Sequence, residues 1–452
     1  MKRVRASISV FLALTITLVL SFVLILLESA REKTMLLKAS VVLDAAAHST
    51  LAEYHTLLWE VYDVLYIDAS YKTDVPNYEF IKNRLQYYAE QNLKYDQTGW
   101  LSLNYIGSQF ATVQLATDLE GYDFYQKAIE SVDFKTGLMA IEQVATYLNT
   151  VQEHMYVADA IAQDKEKIRR QIDEANGTEV IWNGEMVRVE IENPISEKES
   201  GNALLRKLLG QQVELSQSGI NLSGVVSHRN LAKGNADGLL DKESNYIDGI
   251  LEKLQYVYYA DTHFQNFMHL EQDKPLRYEL EYLIAGKATD IQNLESVVSI
   301  LLLIREADNY FFLMSNEAKK LEAHAIAASI ANVATWLEPI VYQAVLLNWA
   351  YDMSIEDIQK LFAGEKIPLC KSASELLGNL GVMGYSEYLC LLLLLEDQGK
   401  LTMRSLDLIE LFIRTEEKTF YADGCVANAT LEGRFIDAYR KYYSVTKTME
   451  YY

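Results

Sequence analysis

The 452-residue chain is acidic, with a net charge of −22, and half of its residues are apolar against only five prolines. That balance excludes a disordered stalk and fits a packed, helix-rich protein of one large or two to three ordinary domains. The negative excess repels nucleic acid and anionic lipid, so nucleic acid is not an expected partner.

Lys2, Arg3 and Arg5 precede an uncharged apolar run over residues 8–27, and Glu28 is the first charge after it. Twenty residues at ~1.5 Å each cover the ~30 Å core of a bilayer. The short basic flank 1–7 predicts a cytoplasmic N-terminus and an extracytoplasmic remainder. A secretory signal has a core of ~7–15 residues and a small-residue cleavage site. Here the exit reads Leu27-Glu28-Ser29-Ala30-Arg31, so the reading is an uncleaved single-pass anchor in the cell membrane, with the bilayer as partner of residues 8–27.

No Gly or Pro occurs before Tyr71, so nothing obliges a break and an amphipathic stem helix is expected over 28–68. Leu36, Leu43, Ala47, Leu51, Tyr54, Leu58, Val61 and Leu65, with Ser40 between them, step by four and three along one face. Such a narrow apolar stripe is the spacing of a packing seam. It serves either a partner helix, the layout of a pilin stem, or the protein's own domain. These eight residues are the candidate interaction site.

Residues 69–215 read as an α+β extracytoplasmic region, with a helix capped by Asn77 and a turn at 96–99. Residues 100–117 are a candidate strand, and 136–175 a long helix. A hairpin is expected near 178–192, because Asn183-Gly184 between two alternating segments favours a type I′ turn. Gly, Ser and Asn mark 216–245 as a linker, and 246–452 reads as helix after helix, with a terminal strand near 425–435. The apolar run 389–395 is too short to span a bilayer and reads as a core helix. The fold class is thus mainly α (α+β): a transmembrane helix, a stem, and a helix-rich region with a small β component.

Motif chemistry is sparse. His48 and His55, like His263 and His269, lack a ligand set at helical spacing, and there is no His-Glu-x-x-His. Cys370, Cys390 and Cys425 are an odd set without a Cys-x-x-Cys pair and read as small buried apolar residues. The acidic stretch from Asp241 to Glu252 has EF-hand-like spacing but Tyr246 where the loop needs glycine. The glycines at 378, 381 and 384 lack the dinucleotide spacing. Asp68-Ala-Ser70-Tyr-Lys72 begins like a metal-dependent adhesion motif, but Lys72 puts a cation where a ligand is required. No cofactor, metal or catalytic residue is expected.

The blocks Arg5-Ala-Ser-Ile-Ser-Val-Phe-Leu-Ala-Leu, Leu27-Glu-Ser-Ala-Arg31, Ala52-Glu-Tyr-His55 and Tyr62-Asp-Val-Leu-Tyr-Ile-Asp-Ala-Ser-Tyr71 resemble an uncharacterised bacterial family of single-pass proteins associated with Tad (Flp) pilus assembly. Tyr278-Glu-Leu-Glu-Tyr-Leu-Ile-Ala-Gly-Lys287, Leu303-Ile-Arg-Glu306 and Arg404-Ser-Leu-Asp-Leu-Ile-Glu410 extend the resemblance along the chain. It implies a TadE/TadG-like pseudopilin position, pilins or pilus-assembly membrane proteins as partners, and no catalysis. The chain lacks the glycine that precedes a prepilin's apolar segment, which argues against prepilin-peptidase processing. The rival expectation is an anchored extracellular enzyme acting on envelope glycans or peptides, and a ligand sensor is a third.

Overall fold

The computed structural model describes residues 2–73, 75–94, 99–132, 138–195, 201–210, 213–235, 246–271, 273–371 and 381–451. In chain order the elements are α1 (Lys2–Leu51), α2 (Thr56–Tyr62), β1 (Ile67–Asp68), α3 (Tyr78–Leu93), β2 (Leu103–Leu115), α4 (Tyr122–Ser131) and α5 (Leu138–Ala175). A hairpin of β3 (Glu179–Trp182) and β4 (Glu185–Arg188) leads to α6 (Asn202–Leu209), α7 (Tyr246–His263), α8 (Glu279–Ala285), α9 (Asp290–Ser315), α10 (Glu317–Ile330) and α11 (Glu338–Phe362). There follow β5 (Ile367–Pro368), β6 (Val382–Met383), α12 (Tyr385–Leu395), α13 (Gln398–Glu416), β7 (Cys425–Asp437) and β8 (Tyr442–Met449). The fold is mainly α with a small β component.

The chain divides into two compact units, neither of them continuous in sequence. The first comprises Met1–Lys127, Asn230–Lys242 and Ile413–Tyr452, and the second Ala128–Arg229 and Glu243–Phe412. This corrects the expected serial division at 215 and 246. Strand pairing draws residues from near both ends of the sequence into one sheet, and a composition shift cannot reveal that.

In the first unit β7 is the central strand. It pairs antiparallel with β2 from Leu103↔Asp437 to Leu115↔Val426. Its other edge takes β1 at Ile67↔Val426 and β8 from Ala429↔Met449 to Ile436↔Tyr442. Helices α1 and α3 contribute to one apolar core with this sheet. From α3 it takes Ile81, Leu85, Ala89 and Leu93, one residue per turn. From α1 come Met35, Ala39, Val42, Leu43, Ala46, Ala47 and Leu51, meeting Ala429, Leu431 and Phe435 of β7. The approach is closest at Gly433, where an added Cβ would lie 2.8 Å from the Leu43 side chain.

The expected stem to residue 68 is therefore too long: α1 stops at Leu51 although no Gly or Pro stops it. Tertiary contacts do so instead. The Tyr451 hydroxyl donates to the Leu51 carbonyl at 2.8 Å, one of the carbonyls that a helix end leaves unpaired. Glu53 is drawn aside by Arg84 Nε at 2.7 Å and by the hydroxyls of Tyr88 and Tyr71 at 2.6 and 3.1 Å. His55 then starts α2 as its N-cap, with Nδ1 accepting from the Leu58 amide.

The second unit is a helical assembly around α9. Ala158, Ile161, Ile168 and Ile172 of α5 share a core with Ala323 and Ala327 of α10 and with Val341, Ala344 and Val345 of α11. Helix α12 buries Leu389 and the leucines 391–394, as a short core helix should. The hairpin matches expectation: β3 pairs with β4, and Asn183 and Gly184 take φ of 49° and 88°, positive at both as a type I′ turn requires. The second strand ends at Arg188, short of the expected 192. Parts of the expected turn at 96–99, of the acidic stretch from Asp241, of the linker 216–245 and of the glycine series at 378 lie outside the described residues.

Candidate functional site

The sequence-derived stripe does not form one surface. Leu43, Ala47 and Leu51 are buried in the first unit's own core, and Leu58 is buried in α2. Leu36 is exposed, while Tyr54, Val61 and Leu65 are half-buried on separate elements or the loop beyond. The buried face of α1 is displaced from the expected one and includes Met35, Ala39, Val42 and Ala46. Its alanines allow close contact with the sheet, and stepping from leucine to leucine passes over them. Of the two uses foreseen for the stripe, Leu43, Ala47 and Leu51 serve the protein's own domain, while Leu36 faces outward and the residues beyond Leu51 do not continue the same face.

What stands out on α1 is the contrast between its halves. Over residues 8–27 the large apolar side chains are 44–71% exposed. The helix from Ile8 is long and apolar enough to cross a membrane. Four residues beyond Leu27, Arg31 is 3% exposed. Its guanidinium pairs with Asp437 and Glu28, donates to the Trp100 carbonyl at 3.1 Å, and lies 4.5 Å over the Tyr439 ring. Asp437 in turn accepts the amides of Tyr439 and Lys441 at 2.9 and 2.8 Å and the Tyr443 hydroxyl at 3.1 Å. Burial works against its charge, but the Lys441 amide, Arg31 and Tyr443 outweigh this and hold its carboxyl below the usual range. The helix is thus fastened to the β7–β8 turn just where its exposed apolar run ends. Trp100, Tyr439 and Tyr442 are exposed around this collar.

The adhesion-like segment is occupied internally. Ser70 donates to Asp68 at 2.5 Å, and the Lys72 ammonium pairs with Glu417 at 2.8 Å.

In the second unit α9 carries charge into the interior. The Arg305 guanidinium is fully buried and uses its fork throughout: Asp357 at 2.9 and 3.0 Å, Asp308 at 2.9 Å, the carbonyls of Pro368 and Leu369 at 3.0 Å, and the Tyr388 hydroxyl at 3.3 Å. Lys371 donates to Asp357 at 3.0 Å and to Asn309 at 2.6 Å. Burial disfavours the Asp357 charge, yet Arg305 and Lys371 keep its carboxyl below the ordinary range. Two carboxylates and two cations are balanced there, as a buried ionic group must be. One ring nitrogen of His154, a carboxylate oxygen of Asp308 and the Cys370 thiol lie within 4.8 Å of one another beside this centre. Burial pushes the His154 imidazole below its usual pKa.

A further acidic group surrounds α8. Glu279 accepts from Lys274 at 2.7 Å and from the Gln265 amide at 2.9 Å. Glu281 accepts from the Tyr385 hydroxyl at 2.7 Å and the Phe267 amide at 3.0 Å. Burial raises both carboxyls to about 7 against these bonds. Asp290 accepts the amides of Arg277 and Tyr278, and Asp407 accepts from Ser227 and Tyr282. These carboxylates tie loops to helices. Sequence pattern does not mark them: some partners are distant, 125 residues away for Tyr282 and Asp407, and the nearer ones are loop amides and a lysine with no recurrent spacing.

No curated protein and no solved structure matches the chain significantly. A family model matches residues 187–436, a stretch that holds Arg305, Asp308, Asp357, Lys371, the α8 carboxylates and nearly all of β7. The chain belongs to this family, described as a family of unknown function (DUF5702).

Proposed function

We propose that the protein is a membrane-anchored assembly component of a Tad-type pilus or a related secretion apparatus, with its N-terminus cytoplasmic and its folded units extracytoplasmic. The observation that carries this reading is the division of α1. Its outer half presents uncharged, mostly apolar side chains, with the hydroxyls of Thr15, Thr17 and Ser21 bonded back to the helix's own carbonyls, and its inner half is mounted on an antiparallel sheet. That is the layout of a pilin, in which the apolar half packs laterally in a bilayer or fibre. The collar supports it: exposed Trp100, Tyr439 and Tyr442 suit the interfacial level where aromatic rings partition. The helix runs unbroken from the apolar run into the mounted half, which favours a retained anchor over a cleaved signal. The buried carboxylates described above serve internal bonds, which favours a structural role over an anchored glycan- or peptide-cleaving enzyme.

Cysteines placed singly at Leu14, Leu18, Leu24, Leu37 and Val41, all exposed, test the proposal by crosslinking in cells. Capture of pilins or pilus-platform proteins, confined to one helix face, is the expected result. Capture of no protein at any position overturns the assembly role. A mature chain lacking residues 1–27 by mass spectrometry overturns the anchor.

A further inference from the structure

We propose that His154, Asp308 and Cys370 form a binding site for a borderline-soft divalent metal ion of the zinc type. The three donors come from different elements: His154 from α5, Asp308 from α9, and Cys370 from the segment after β5. Their ligand atoms already lie within 4.8 Å of one another. Tetrahedral zinc with bonds of ~2.0–2.3 Å sets donor separations of about 3.3–3.8 Å. Closing the remaining gap takes about an ångström of side-chain movement.

Two further observations point to a ligand. His154 is 5% exposed, and its Nδ1 is buried without a hydrogen-bond partner among the described residues. A buried polar nitrogen left unpaired costs about 1–3 kcal/mol unless something satisfies it. Asp308 is held in place from behind, by the Lys371 amide at 3.0 and 3.1 Å and by Arg305 at 2.9 Å. A carboxylate has about four acceptor positions, so these bonds leave room for a metal. They fix its direction as outer-shell partners do at metal centres.

The donor set selects the ion. Sulfur and imidazole nitrogen suit zinc and its neighbours, whereas calcium and magnesium require oxygen cages. On binding, the Cys370 thiol releases one proton to solvent and binds as thiolate, while His154 binds as neutral imidazole. Three protein ligands leave a fourth position to water. The ion would join α5, α9 and the β5 segment inside the second unit, whatever the role of α1.

The test uses the full chain in detergent, stripped with a chelator and titrated with Co²⁺. A thiolate-to-cobalt charge-transfer absorption saturating at a single equivalent is expected. Cys370→Ser abolishes it, His154→Ala weakens binding ~10-fold or more, and Cys425→Ser leaves it intact. Zn²⁺ added to the stripped wild-type chain raises its melting temperature, as a ligand of the native state must. No charge-transfer absorption, absorption that survives Cys370→Ser, or no thermal shift in the wild-type chain overturns the site, and the last needs no variant to fold.

Discussion

Arg305 shows how far single residues set the terms for the second unit. With every donor engaged and no exposure to water, its loss would leave two buried carboxylates, Asp308 and Asp357, facing the single cation Lys371. Arg305→Leu is expected to cost about 3–5 kcal/mol, because an uncompensated buried charge is worse than no charge at all. Chemical denaturation of the variant measures this. Glu279 and Glu281 give the unit a pH dependence of definite sign. With folded values of about 7, raised from the ordinary 4.5, the native state holds protons that the unfolded chain has released. Stability is therefore highest below about pH 4.5 on this account and falls as pH climbs to about 7. Glu281→Gln, which cannot ionise, should remove roughly 3 kcal/mol of that fall. Equal slopes for variant and wild type between pH 5 and 7.5 would refute it. None of this was legible in the sequence. Arg305 and Asp357 stand 52 residues apart, and nothing local marks either as buried.

At the scale of elements, α1 carries two kinds of surface in one unbroken helix. A charge on its inner face now has a definite expectation. Leu43→Asp should unfold the first unit rather than leave it folded and unable to bind, since Leu43 is buried against Gly433. The matching change, Gly433→Val, forces side-chain atoms into the same space and should destabilise by about 1–3 kcal/mol. Loss of protease resistance in the first unit reads both. Elements with local signals were legible: the Asn183-Gly184 hairpin, the Asn77 cap, the strand near 103–115, and the helix ending before Asn176-Gly177. The end of α1 at Leu51 was not, because it is set by Tyr451, Arg84 and Tyr88 rather than by a helix breaker.

For the whole molecule, the two compact units predict two unfolding transitions by calorimetry, with truncation after Phe412 removing one of them. A single transition in the intact chain, or two in the truncated one, would contradict this. All of the second unit's sequence lies between β2 and β7, two strands that pair along almost their full length. That arrangement sets a timetable during synthesis. Arg31 leaves the ribosome 406 residues before its partner Asp437. At roughly 5–20 residues per second the wait is roughly 20–80 s. Throughout it Met35, Ala39 and Leu43 have no sheet to cover them, while the helices around α9 already have their neighbours. The first part of the chain to be made is thus among the last to reach its native contacts. Until β7 arrives, the inner face of α1 must be shielded by something other than its own sheet.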